Sequence, residues 1–232
     1  MKLSLNGVVA NRGEGDWSVQ AHGTFTEGIH LVSGDVGSGK TTLALALAGL
    51  TAPVSGSVER DGITSSMLSF QFPEYHVTGL TVREECESWG VDPDTVLAAT
   101  RLEGKEALSP VRLSRGELKR LHVACLLGKE YDLLILDEPV SSLDCREKER
   151  VCRDLSGRTQ GITIIFTHEQ MCFPRVDHIW EISCGKLEYR GRVPDALPLW
   201  QHAPKLVRNL LAAGKIPDNI SPGDLVEAAC RT

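Results

Sequence analysis

No stretch of the chain approaches the roughly 20 consecutive apolar residues that a membrane-spanning helix needs, so no spanning segment is expected. There is no internal repeat and no low-complexity tract, which argues against a repeat array or a long disordered linker. Basic residues are not in excess. The formal net charge is −6, whereas a nucleic-acid-binding surface usually comes with a basic balance, so no nucleic-acid partner is expected. The seven cysteines (Cys86, Cys125, Cys145, Cys152, Cys172, Cys184 and Cys230) are odd in number and contain no C-x-x-C pair. They read as thiols in a reducing compartment, not as disulfides or metal ligands. The seven histidines show no ligand spacing, and no zinc site is expected. The start, Met1 to Gly7, has neither the apolar core nor the cleavage site of a secretory signal. These absences together predict a cytoplasmic protein.

What is present suits one sizeable core, or one core with a small appendage, in 232 residues. Apolar residues at 41% and charged residues at 24% exclude a mostly disordered chain. Short apolar runs alternate with helical patterns, which predicts an α/β domain with a largely parallel sheet. Residues 28–33 read as a strand entering a glycine-rich turn, and 41–50 as a buried helix ended by Gly49 and Pro53. Residues 117–127 carry Leu118, Leu121, Cys125 and Leu126 at helical spacing, closed by Gly128. Residues 132–136 and 161–166 are all-apolar strands of the kind buried on both faces. Residues 179–182 and 187–189 flank Cys184-Gly185 as a hairpin. Residues 74–111 look helical and polar, and a short tail from Pro194 has its own helical pattern.

Gly34-Asp35-Val36-Gly37-Ser38-Gly39-Lys40-Thr41 fits G-x-x-x-x-G-K-[ST] between a strand and a helix. Glycines let backbone N–H groups turn inward around phosphate oxygens, and the positive end of the next helix favours the anion. Lys40 is placed to reach the β- and γ-phosphates. The Thr41 hydroxyl is placed to ligate Mg²⁺, with Thr42 beside it. This loop alone says "nucleotide" and does not separate kinases, GTPases and transport motors. Downstream, Leu133-Leu134-Ile135-Leu136-Asp137-Glu138-Pro139 puts two carboxylates at the end of a buried strand, where α/β sheets face the ligand crevice. Asp137 is the expected Mg²⁺ ligand. Glu138 is the expected general base toward the attacking water.

Leu113-Ser114-Arg115-Gly116-Glu117 resembles the L-S-G-G-Q signature of ABC ATPases and precedes the acidic strand through one helix, in the family's order. A serine and a glycine at a helix N-terminus also make a second anion site, and Ser114 with Glu117 fits a capping box. The resemblance, over roughly residues 1–192, implies a P-loop NTPase fold of the ABC nucleotide-binding type. That fold has a compact helical subdomain at about 74–125, an antiparallel β portion, and a helical extension over 193–232. It implies that two subunits sit head to tail, Ser114 and Gly116 of each closing on the other's γ-phosphate. It further implies that Gln71 senses Mg²⁺ and the attacking water, that Asp144 in Ser142-Leu143-Asp144 crosses the dimer interface, and that His168 contacts the γ-phosphate. ATP and Mg²⁺ are the implied ligands.

Three features depart from the family pattern. Arg115 replaces the first signature glycine. The stretch from Gln71 to Ser114 is short for the helical subdomain. No clear aromatic precedes the phosphate loop where one normally stacks on adenine; Trp17 or the Arg12 guanidinium plane is available, and Trp17 serves equally well as a core residue.

Phe70-Gln71-Phe72-Pro73-Glu74, running on to Thr81-Val82-Arg83-Glu84-Glu85, is similar to the ATPases of energy-coupling-factor importers, which take up vitamins or cobalt and nickel ions. The tail from Pro204 to Val226 is similar as well. That resemblance implies a transmembrane coupling subunit, a second ATPase subunit (the same chain or a paralogue), and peripheral attachment at the cytoplasmic face of the cell membrane. Tyr75, Val77 and Trp89 are candidates to line the coupling groove or to pack the helical subdomain. The alternatives are the ATPase of a conventional ABC importer or exporter, and a soluble non-transport ABC ATPase. The second lacks support, since there is one phosphate loop and no heptad run. The signature and His168 exclude a small-molecule kinase.

Overall fold

The structure is a computed structural model that describes residues 1–11 and 17–231. Arg12, a candidate adenine contact, lies outside the described residues. Among the described residues nine strands form one sheet: β1 (Lys2–Ala10), β2 (Val19–Thr26), β3 (Gly28–Ser33), β4 (Ser55–Asp61), β5 (Ser66–Ser69), β6 (Leu133–Asp137), β7 (Ile162–Thr167), β8 (His178–Ser183) and β9 (Lys186–Arg192). Their order is β4-β1-β2-β9-β8-β3-β7-β6-β5. β3, β7, β6 and β5 run parallel, and β8 joins β3 in the same sense. β1 pairs antiparallel with β2 and β4, which forms the expected antiparallel portion. β8 and β9 form the predicted hairpin. Cys184 (φ 49°) and Gly185 (φ 71°) both take the left-handed conformation, as a two-residue primed turn requires.

The parallel strands are apolar on both faces because each face is covered. On one face Leu133, Ile135, Ile162, Ile164 and Phe166 pack with Leu43 and Leu47 of α1 (Lys40–Ala48). On the other, Leu134, Leu136 and Ile165 pack with Leu118 and Leu121 of a helix over 115–127 and with Val151 and Leu155 of one over 145–156. α1 ends at Gly49, whose φ of 77° lets its N–H cap Ala46.

Between β5 and β6 the chain makes a short turn, Pro73–His76, and three helices: α2 (Val82–Trp89), α3 (Pro93–Thr100) and α4 (Arg115–Leu127). Thr81 and Glu84 form a capping box for α2, Asp92 caps α3, and Ser114 with Glu117 forms a capping box for α4. α5 (Cys145–Ser156) follows β6. The tail carries α6 (Lys205–Ala212) and α7 (Pro222–Cys230). Its Trp200, Val207, Leu210, Ile220, Leu225 and Ala228 are buried in the same cluster as Phe173 and Val176 of the body. Among the described residues no helix is long and apolar enough to cross a membrane.

Candidate functional site

The carboxyl ends of β3, β6 and β7 meet at one edge of the sheet, where Ser33 pairs with Thr167 and Asp137 with Phe166. From there the chain turns through Gly34–Gly39 into α1. Two features make glycine obligatory at Gly39. Its φ is 102°, and an added Cβ would lie 2.3 Å from Cη2 of Trp17. Gly34 is equally confined, because an added Cβ would meet the Ile182 carbonyl at 2.8 Å. Trp17 therefore packs on the loop backbone, its ring nearly half exposed at the mouth of the site.

Among the described residues the N-terminus of α1 has no side-chain cap and no acidic residue in its first turn, so the helix itself supplies no partner for its first N–H groups. Buried Lys40 donates from Nζ to the carbonyls of Gly34 (2.8 Å) and Asp35 (2.9 Å). Burial lowers the Lys40 pKa, against the opposing pull of Glu138, Asp137 and Asp35. The Ser38 hydroxyl is buried with no hydrogen-bond partner among the described residues. A cradle of N–H groups, a lysine and an orphaned hydroxyl fits a polyphosphate. A cleft of about 290 Å³ opens over it, lined by Trp17, Val36, Gly37, Gly39, Lys40, Thr41 and Thr42, with Gln71, Asp137, Glu138 and His168.

Thr41 Oγ1 donates to Asp137 Oδ2 at 2.7 Å. Burial raises the Asp137 pKa, the Thr41 bond lowers it, and Glu138 raises it again. This oxygen pair suits a hard cation. Among the described residues no cluster of three or more His, Cys, Asp or Glu could hold a metal, so phosphate and water oxygens would have to complete the shell.

Glu138 sits at φ 53°, a left-handed conformation costly for a side-chain-bearing residue. Its N–H donates to the Phe166 carbonyl (2.9 Å), and its own carbonyl accepts from Ser141 N (3.2 Å) and Oγ (2.9 Å). The carboxylate is just as firmly held. Thr167 Oγ1 donates to Oε2 (3.0 Å), and His168 approaches Oε1 through its backbone N–H (2.9 Å) and its Nδ1 (2.5 Å). Sequence reasoning missed Thr167, which reads only as the last residue of a strand.

Gln71 lines the cleft, and its carbonyl accepts from Lys119 Nζ at 3.0 Å. Lys119 was also missed. It is 2% exposed, and burial brings its pKa down to about 8, partly opposed by Asp137, Glu138 and Glu74. It sits on α4, the helix whose N-terminus carries the signature.

Ser114, Gly116 and Asp144 do not line this cleft, and neither do Gly34, Asp35 and Ser38 of the loop itself. Ser114 and Asp144 are exposed, each capping its own helix; Glu117 N bonds Ser114 Oγ, and Glu147 N bonds Asp144 Oδ1 at 3.0 Å. A Cβ added to Gly116 would lie 3.9 Å from the Ser142 carbonyl, so the signature and the Ser142–Asp144 loop adjoin on one surface. The Asp35 side chain points out from the loop and is 87% exposed.

The family model described as "ABC transporter" matches residues 23–141. The chain is 35% identical over 215 residues to the energy-coupling factor transporter ATP-binding protein EcfA1 of Thermotoga maritima, spanning 82% of each chain. It is 31% identical over 230 residues to EcfA2 of the same organism, spanning 87% of this chain and 86% of that one. Among solved structures, a bacterial Atm1-family ABC exporter with ATP bound matches with TM-score 0.72 at 20% identity, over 92% of this chain and 42% of that one. A dimeric ATP-binding cassette in a post-hydrolysis state, bound to ADP and Pi, matches with TM-score 0.65 at 19% identity, over 80% and 96%. Those two likenesses show the fold. The chain belongs to the ABC transporter family and is one of its ATPases.

Proposed function

We infer that the cleft over Lys40 binds Mg-ATP and that Glu138 drives hydrolysis, powering uptake by an energy-coupling-factor type importer. The observation that carries the chemical part is the Glu138 carboxylate, fixed by Thr167 and His168 in the same cleft as Lys40, Thr41 and Asp137. Lys40 exchanges its two backbone acceptors for phosphate oxygens. Thr41 and Asp137 hold the Mg²⁺, which supplies charge neutralisation on the phosphates. Glu138 orients and deprotonates the attacking water. His168, half exposed at the rim, reaches the γ-phosphate, and Gln71 follows the cation and the water.

Ser114, Gly116 and Asp144 act on the nucleotide of a second ATPase subunit, which explains why they form a surface apart from their own cleft. Trp17 is the adenine-side contact. Attachment to the membrane goes through a transmembrane partner. Phe72 and Tyr75, whose rings meet edge to face, leave an apolar patch exposed beside the Gln71 loop, with Leu80 and Val111 also exposed on the helical subdomain. The cargo is a vitamin or a transition-metal ion, as the resemblance to energy-coupling-factor ATPases implies.

The test is purification of the tagged chain from gently solubilised native membranes, with partners identified by mass spectrometry. A small transmembrane coupling protein, with or without a substrate-binding membrane subunit, is the expected result. A conventional permease pair would overturn the importer class and leave the ATPase. Recovery from the soluble fraction alone would overturn transport.

A further inference from the structure

We propose that Trp200 and His202 of the tail are positioning residues for the phosphate loop. Neither touches the nucleotide cleft, and both lie outside residues 23–141 matched by the family model. Ser33 is the last residue of β3, and Gly34, whose carbonyl Lys40 engages, follows it directly. The Ser33 hydroxyl accepts from Trp200 Nε1 at 2.7 Å and donates to the Trp180 carbonyl at 3.3 Å. The entry to the loop is thereby pinned between a core strand and the tail.

A second tether starts at Glu181 on β8, in register with Ser33 and wholly buried. A buried carboxylate is costly unless fully paired, so its partners reveal its purpose. Arg190 neutralises it. Its other bonds run to Gln201 N (3.0 Å), His202 N (2.7 Å) and His202 Nδ1 (2.7 Å). The charge is therefore spent on fixing residues 201–202. The far side of that imidazole faces the loop, with Nε2 at 3.7 Å from Asp35 Oδ2. His202 also closes a small cavity of about 190 Å³ between Gly34–Val36 and the strand end Thr167–Gln170, where His168 lies.

Loosening these tethers should loosen the loop and leave Glu138 untouched. The inference rests on the reading that ATP occupies this loop. It is tested on the full chain with His202→Ala, His202→Asn, Trp200→Phe and Lys40→Ala, by binding of a fluorescent ATP analogue and by steady-state hydrolysis. His202→Ala and Trp200→Phe are each expected to raise the nucleotide Kd and the ATP KM about 3- to 10-fold, the range that one net hydrogen bond spans, with kcat within about twofold. His202→Asn keeps a donor toward Glu181 and should restore affinity to within about twofold. Trp200→Phe probes a buried ring; should it fail to fold, His202→Ala decides, because that side chain is partly exposed. Wild-type affinity in His202→Ala, or a fall in kcat at unchanged KM, overturns the positioning role while Lys40→Ala still abolishes binding. Wild-type binding by Lys40→Ala overturns this inference and the loop assignment together.

Discussion

Glu138 and Gly39 occupy backbone conformations that ordinary residues avoid, and both border the cleft. At Gly39 the cause is mutual, since the loop needs φ above zero and Trp17 fills the space a Cβ would take. Gly39→Ala should cost about 1–2 kcal/mol or more and abolish nucleotide binding, measured by thermal unfolding with and without ATP. Away from the cleft, His30 is buried between strands. Trp180 Nε1–H donates to its Nδ1 (3.1 Å), so its Nε2–H donates to the Thr26 carbonyl (2.7 Å). Both nitrogens are satisfied only in the neutral ring. Burial drops the pKa from 6.5 to about 4, opposed by the bond to the Thr26 carbonyl and more weakly by Asp177, with His178 stacked beside it also lowering it. Because the folded pKa lies below the unfolded one, the unfolded chain gains the proton first. Stability is then lost as pH falls from 6.5 toward 4, by about 3 kcal/mol over the window. Urea unfolding between pH 7 and pH 4.5 should show this loss, and His30→Asn should reduce its steepness. At this scale the sequence announces Lys40, Thr41 and Asp137 through their motifs, and the structure brings the three into one cleft. It hides Lys119, Thr167, Trp200 and His202, whose roles arise from contacts between residues far apart in the chain.

The elements themselves were largely legible. β6 and β7 carry apolar residues at consecutive positions because helices cover both faces, and that pattern survives in the bare sequence. Helix ends moved by a residue or two where caps decide: α1 begins at Lys40 because Gly39 turns the chain, and α4 begins at Arg115 because Ser114 caps it. The tail is different. Its helical pattern is visible, but nothing local to residues 205–230 says that Val207, Leu210 and Leu225 complete the main core with Trp200 and Ile220. At about 1.5–3 kcal/mol for each large side chain withdrawn from water, those five rival the whole stability of an ordinary domain. A chain truncated after Arg192 should therefore be insoluble or unfolded by circular dichroism. A soluble truncated protein with an intact melting transition would contradict the packing described for α6 and α7.

On the whole molecule two surfaces stand apart: the cleft over Lys40, and the exposed ledge of Ser114, Gly116 and Asp144. One chain does not bring them together; on the pairing proposed above each cleft meets the ledge of another subunit, and dimerisation should depend on nucleotide. Arg115 lies on that ledge, exposed, where the family pattern has glycine. The most direct measurement uses Glu138→Gln, which keeps the shape of the carboxylate and removes its basicity. With Mg-ATP the variant should bind nucleotide as the parent does and hydrolyse it at least about 10²-fold more slowly. It should also run as a dimer in light scattering, because the ATP that bridges two subunits is no longer consumed. Hydrolysis by Glu138→Gln at the parental rate would contradict the catalytic assignment. A variant that stays monomeric at high protein and nucleotide concentration would contradict pairing of this chain with itself and point to a paralogue.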